Sequence, residues 1–247
     1  MNINSNINII GGLPEFDLIK VFLIETGLQN KNHVEYSDIR TIKSLNRFKK
    51  AIIESFISTH EEMNNLTFPF IEKETSKYNS YLFFLLFSLN NELFRHLNSN
   101  ILFPIYYSGR KIINTEEVIT CLIELQKSNN SLSNWSESTI KTTASKYLTL
   151  LKKFGLLSGS RKKEIVYKNL SNDEFILFSY FFMIVETNVN KINSEWIKYS
   201  FYEQDFFIEK VLNKQFIKYF EIQYNGDSLK IKPTINYDQL YEILKSA

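Results

Sequence analysis

Trp135-Ser136-Glu137-Ser138-Thr139-Ile140-Lys141-Thr142-Thr143-Ala144-Ser145-Lys146-Tyr147-Leu148-Thr149-Leu150-Leu151-Lys152-Lys153-Phe154-Gly155-Leu156-Leu157 runs on into Ser158-Gly159-Ser160-Arg161-Lys162-Lys163-Glu164-Ile165-Val166-Tyr167-Lys168. Ser136 or Ser138 can cap a helix by accepting from free first-turn amides, with Glu137 near the positive end of the dipole. Gly155 is the natural stop, because it accepts the left-handed geometry that ends a helix. Between these limits Ile140, Ala144, Tyr147, Leu148, Leu151 and Phe154 recur every three or four residues and share one face. The opposite stripe holds Ser138, Lys141, Thr142, Ser145, Thr149 and Lys152, which mix cations and small hydroxyls with no carboxylate. Such a surface fits a phosphate backbone and leaves base edges within reach. After Gly155, Leu156-Leu157 can start a strand, Ser158-Gly159-Ser160 a turn, and Glu164 to Tyr167 a returning strand, with Arg161, Lys162 and Lys163 at the tip. Helix, strand, basic turn and strand form the layout of a winged helix-turn-helix.

Charge is concentrated in the same place. Ser136 to Lys168 carries eight cations and two carboxylates, a net of +6 in a chain whose total is +2, so the remainder sums to −4. A local positive patch on a near-neutral chain is the footprint of a nucleic-acid binder. The same pattern also fits a solvated amphipathic helix with a Lys-rich outer face, and the residues alone leave both readings open.

The run Leu132-Ser133-Asn134-Trp135-Ser136-Glu137-Ser138-Thr139, continued by Leu150-Leu151-Lys152-Lys153-Phe154-Gly155-Leu156-Leu157, resembles the BrxA family of bacterial BREX phage-defence systems. The flanking order is similar too, with helical segments before this stretch and a hairpin and short helix after it. The central stretch carries the specific likeness; the first hundred residues match in layout rather than in motif. The resemblance implies a non-enzymatic protein that binds double-stranded DNA beside other BREX components. It supplies no catalytic residues.

At 247 residues the chain is long enough for a substantial core, and 44% hydrophobic content with 15% aromatics indicates a folded protein. Seven Gly and four Pro are few, and with long 3.6-residue patterns they favour helix. The single Cys121 lies in an apolar helical run, which reads as a small core residue and suits a reducing cytoplasm. Residues 1–12 lack the basic and apolar regions of a secretory signal. The apolar runs Tyr81 to Leu89 and Phe175 to Val185 fall well short of the roughly 20 residues that span a bilayer, so no membrane partner is expected.

In chain order, residues 1–12 read as a loose arm or an edge strand. A helix beginning near Pro14 ends at Gly27, and one long helix is expected from Ser37 to about Asn65. On that helix Ile42, Leu45, Ile52, Ile53 and Phe56 face inward, while Arg40, Lys43, Arg47 and Lys50 form a second basic stripe. The stripe either extends a DNA surface or is simply solvated. Pro69 should break the next segment, and Lys77 to about Asn98 should be the buried centre of a bundle. Thr115 to about Lys127 is the expected first helix of the helix-turn-helix, with its turn at Ser128 to Ser133. A buried helix from Asp173 to Val185 follows, then shorter helices at Trp196 and Gln204 to Lys214. Asn225-Gly226 between Lys218 to Tyr224 and Ser228 to Lys232 is a strong hairpin signal, and Tyr237 to Lys245 forms a last helix. The expected fold is mainly α: an N-terminal helical bundle (1–112), a central winged-helix-like unit (113–170), and a C-terminal helical unit with a β-hairpin (171–247).

Signatures of enzymes are missing. His33, His60 and His96 are isolated, no His or Cys pair has metal-ligand spacing, and no Gly-rich phosphate loop or Gly-x-Ser-x-Gly element occurs. No catalytic residue, cofactor, metal or small-molecule substrate is therefore expected. The predicted function is non-enzymatic binding of double-stranded DNA, mainly through phosphates and with weak sequence preference. Lys141, Lys146, Lys152 and Lys153 would dock the helix, Thr142, Ser145 and Thr149 would lie nearest the groove, and Arg161, Lys162 and Lys163 would form the wing contacts. The alternatives are a protein-interaction adaptor among defence-system partners and a winged-helix transcription regulator.

Overall fold

A computed structural model describes residues 6–27 and 41–246. The chain divides into two compact units, Met1–Ser58 with Ile71–Val166 and Thr59–Phe70 with Tyr167–Ala247. The boundaries thus differ from the three consecutive stretches expected at 112 and 170. The first hundred residues and the central stretch share one unit, and the segment 59–70 groups with the C-terminal third.

The first unit opens with α1 (Asn6–Ile10), where a loose arm or edge strand was expected. Ile7 and Ile10 are fully buried, and the Asn6 amide donates to Glu54 and Ser55. Next comes α2 (Leu18–Gly27), which starts after Pro14 and Phe16 and ends at Gly27 as expected. The described part of the following helix, α3 (Ile42–Phe56), is capped by Thr41, whose hydroxyl accepts from the Ser44 amide. Ile52 and Phe56 face inward, but Ile42 is 78% exposed because it lies in the first turn, before the helix meets its neighbours. The long helix expected to about Asn65 stops at Ile57, and α4 (Glu61–Lys73) begins separately and carries Pro69 inside it. Asn65, whose carbonyl Pro69 cannot serve, is exposed, so water satisfies the lost bond.

Tyr81 to Ser88 are buried without interruption in α5 (Ser76–Asn90). The expected helix to Asn98 breaks at Asn91, whose side chain accepts from the Phe94 amide and caps α6 (Glu92–Leu97). A short polar side chain that competes for the backbone ends one helix and starts the next. A π-helical turn (Asn98–Leu102) leads into α7 (Phe103–Tyr107), with Pro104 in its first turn. The expected turn at Ser108-Gly109 is present, Gly109 taking a φ of 74°.

The remainder of this unit is a helix pair and a small sheet. Strand β1 (Ile112–Ile113) precedes α8 (Thr115–Ser128), which is held by a capping box between Asn114 and Glu117. The connection is clamped by Gln126, whose amide donates to the Leu132 and Trp135 carbonyls at 3.0 and 2.9 Å. Then come α9 (Glu137–Lys153), β2 (Leu157–Ser158) and β3 (Lys163–Ile165). The sheet is antiparallel in the order β1-β3-β2, with Ile112 opposite Glu164 and Leu157 opposite Ile165. Phe154, at the end of α9, meets Phe16, Phe84 and Phe94 at ring-centroid distances of 5.4, 6.0 and 5.9 Å in edge-to-face contacts. These fix the roll of α9 and hence which of its faces stays outside.

The second unit is built on α10 (Asn172–Val185), capped by Ser171 and Glu174 and buried from Phe175 to Phe182. It also holds a 3-10 turn (Glu195–Ser200), α11 (Gln204–Val211), the hairpin β4 (Phe220–Tyr224) with β5 (Leu229–Pro233), and α12 (Leu240–Ser246). Asn225-Gly226 turns the hairpin as expected, with Gly226 at a φ of 94°. Tyr180 ties α10 to it, donating from its hydroxyl to the Tyr219 carbonyl at 2.5 Å.

Candidate nucleic-acid interface

Ser136 caps α9, accepting from the Thr139 amide, and Gly155 ends it at a φ of 73°. Ile140, Ala144, Tyr147, Leu148, Leu151 and Phe154 are buried, as their spacing requires. Thr143 and Leu150 are buried as well, because α1 covers that flank, a contact with no trace in the local pattern. On the opposite side Ser138, Lys141, Thr142, Ser145 and Lys152 are exposed and Thr149 is half-buried.

The cations of this region divide into three groups. Lys152 is exposed, and among the described residues it pairs with no carboxylate. Lys141 is exposed too, but its ammonium lies 2.5 Å from Glu137 one turn earlier. That ion pair raises the Lys141 pKa and lowers that of Glu137. The stripe expected to be free of anions therefore has a carboxylate at its edge. The third group, Lys146 and Lys153, does not stand on the exposed stripe. Both turn toward α1: Lys146 lies against Gly11, and Lys153 donates to the Leu13 carbonyl at 2.7 Å. Burial, reinforced by the nearby Lys146 charge, pushes the Lys153 ammonium below its usual value.

Beyond α9, the turn between β2 and β3 presents Arg161 and Lys162 fully to solvent, and among the described residues neither meets a carboxylate. Lys163 folds back, its ammonium donating to the Ser160 carbonyl at 2.7 Å. Gly159, at a φ of 78°, makes this turn possible, since a Cβ there would stand 2.2 Å from the Lys162 carbonyl oxygen. Lys111 is an exposed cation missed in the sequence. It reaches the same sheet through its carbonyl, which accepts from the Ile165 amide at 2.8 Å. Its neighbourhood depends on β1, a strand of two residues too short to carry a periodic signal.

In the second basic stripe, Lys43 and Arg47 are exposed on α3, and Lys50 lies 3.8 Å from Glu54. Arg40 lies outside the described residues.

A groove of about 570 Å³ between α6 and α8 is lined by His96, Asn100, Glu116, Thr120, Cys121 and Glu124, among others. Its Cys121 sulfur is 3.8 Å from His96 Nε2. Burial and the Glu124 charge push the thiol pKa up, and burial pushes the imidazole pKa down. A nucleophilic cysteine needs the opposite shift in its thiol. Among the described residues no three of His, Cys, Asp or Glu are grouped to hold a metal ion, and no helix is long and apolar enough to cross a membrane.

The fold and surface define a mainly α-helical protein in which one helix and one strand turn hold most of the positive charge. The chain belongs to the BrxA family, whose model matches residues 29–176, a span that includes α8, α9 and the three-stranded sheet. BrxA proteins are components of BREX phage-defence systems, and this chain is accordingly a BREX component. A search of curated proteins finds no match.

Proposed function

We propose that this BrxA-family chain binds double-stranded DNA without catalysing a reaction on it, using α9 and the β2–β3 turn as a winged helix-turn-helix. One observation carries the reading: the face of α9 that carries Lys141, Thr142, Ser145 and Lys152 is left open to solvent by the packing of the opposite face. The sheet order β1-β3-β2 around the α8–α9 pair supports it, as do Arg161 and Lys162 exposed at the turn. In this arrangement α9 enters the major groove and the turn follows the backbone. Small hydroxyls and lysines can reach phosphates, but no Asn, Gln or Arg on the α9 stripe offers the bidentate base contacts that specify sequence. Binding is therefore expected on any duplex.

Binding of a random-sequence duplex across a salt series tests this reading. With about four phosphates neutralised, the log–log slope of affinity against salt is expected near −4, and a slope flatter than about −2 overturns it. Lys152→Glu combined with Lys162→Glu should weaken binding on all sequences alike; unchanged retention in a gel-shift assay also overturns it. If defence-system partners are recovered equally well after nuclease treatment while duplex binding is absent, the chain is a protein-interaction adaptor. A single preferred operator would instead make it a transcription regulator.

A further inference from the structure

The short helix α1 and the glycine turn after it lie along the flank of α9. Asn8 donates from its side-chain amide to Thr143 Oγ1 at 3.1 Å. Gly11 approaches so closely that a Cβ there would stand 2.8 Å from the Ile7 carbonyl oxygen and 3.0 Å from both Lys146 Cβ and the Lys146 carbonyl oxygen. Gly12 is exposed, and a Cβ on it would stand 3.8 Å from the Lys146 ammonium. One residue on, the Lys153 ammonium reaches back to the Leu13 carbonyl. Two ammonium groups thus bracket a bare turn.

Among the described residues, neither lysine pairs with a carboxylate. Two like charges held near each other, one of them half-buried, destabilise a fold unless an anion offsets them. Lys153 uses one of its three donors on Leu13 and keeps two. The amides of Gly11, Gly12 and Leu13 are already bonded to the carbonyls of Ile7, Ile9 and Ile10, so the attraction for an anion comes from the two side chains. At 3.6 residues per turn, Lys146 and Lys153 sit roughly 60–80° around α9 from the centre of its exposed stripe. A strand lying on that stripe would pass beside them.

We propose that Lys146 and Lys153, across the Gly11-Gly12 turn, form a clamp for one phosphoryl oxyanion. The ligand is a phosphate oxygen, from a DNA backbone or from a free phosphate compound. The first source rests on the DNA-binding reading above; the second does not.

Two titrations of the full chain test the clamp. Inorganic tripolyphosphate is followed by calorimetry, and a random-sequence duplex is followed across a salt series. Lys146→Gln with Lys153→Met should weaken tripolyphosphate at least tenfold and flatten the duplex salt slope by about one. Lys152→Gln should leave tripolyphosphate binding unchanged, and Lys146→Arg should retain both activities. Lys146→Gln alone is the second readout if the double variant fails to fold, since that side chain makes no hydrogen bond that the fold needs. If the wild type ignores the duplex but binds tripolyphosphate through the two lysines, the clamp stands and the DNA reading falls. If the duplex binds with a slope that neither lysine alters, and tripolyphosphate is equally indifferent, the clamp is overturned while the DNA reading survives. Loss of both activities in Lys152→Gln as well as in the clamp variants overturns the clamp as a distinct site.

Discussion

Tyr147 donates from its hydroxyl to Asn98 Oδ1 at 3.1 Å, and both residues are fully buried. Asn98 passes the chain on, its amide donating to Ser88 Oγ at 3.1 Å, and Ser88 donates to the Phe84 carbonyl at 2.7 Å. This buried polar line joins α9 to the π-helical turn and to α5, and sets the depth at which α9 sits. Tyr147→Phe removes the donor and leaves a buried amide oxygen short of a partner. It is expected to cost about 1–3 kcal/mol of unfolding free energy. Chemical denaturation measures this, and a loss under about 0.5 kcal/mol would show that water or a shifted Asn98 replaces the bond.

Gly11→Ala tests the close approach of α1 to α9. The added Cβ would meet backbone oxygens of Ile7 and Lys146 at 2.8 and 3.0 Å, and neither can swing away as a flexible side chain could. A cost of about 1–3 kcal/mol is expected from overpacking, read as a lower melting temperature. Gly109→Ala is the comparison: its Cβ would meet nothing within 4 Å, so only the φ of 74° is penalised, at about 1 kcal/mol. Equal melting temperatures for the two variants would mean that α1 does not pack as described.

Glu117 closes the capping box of α8 and meets Arg110 at 2.8 Å. Burial alone raises its pKa, but the Asn114 amide and then the Arg110 guanidinium outweigh burial and hold the carboxyl below its ordinary value. A carboxylate depressed in the folded state contributes stability that is present above the unfolded value and lost as pH falls through the folded one. Glu117→Ala should therefore cost about 1 kcal/mol at neutral pH and shrink the loss of stability on acidification. Denaturant midpoints at neutral and acidic pH check both parts; an unchanged acid-limb slope would remove Glu117 from the account.

The sign runs the other way for Lys153. Its folded pKa is lowered, by burial first and then by Lys146, so between the folded and unfolded values the unfolded chain binds more protons. Stability attributable to this group rises with pH through that window and is lowest below the folded value, where the buried ammonium is fully charged. Lys153→Met should lack this alkaline rise. Denaturant midpoints of wild type and variant, compared as pH climbs through the window, measure the difference, and parallel curves would refute it.

Local sequence is enough for elements whose ends and faces depend on near neighbours. Ser136 and Gly155 bracket α9, its three-and-four spacing names the buried face, and Asn225-Gly226 turns the hairpin. Capping and periodicity act within a turn or two of helix, so they leave a readable pattern. The same reach explains why a mainly α fold with a C-terminal hairpin could be expected. It also explains the breaks that were missed: Ile57 and Asn91 interrupt apolar runs that look continuous when only hydrophobicity is followed.

What tertiary structure alone decided is how each lysine is used. Sequence spacing put Lys141, Lys146, Lys152 and Lys153 together as docking cations. The fold leaves Lys152 open, pairs Lys141 with Glu137, and turns Lys146 and Lys153 against the α1 turn. The contacts responsible join Asn8 to Thr143 across 135 positions and Leu13 to Lys153 across 140. A charge becomes available or spent through whatever the folded chain brings beside it, and partners that far apart leave no periodic mark in the sequence.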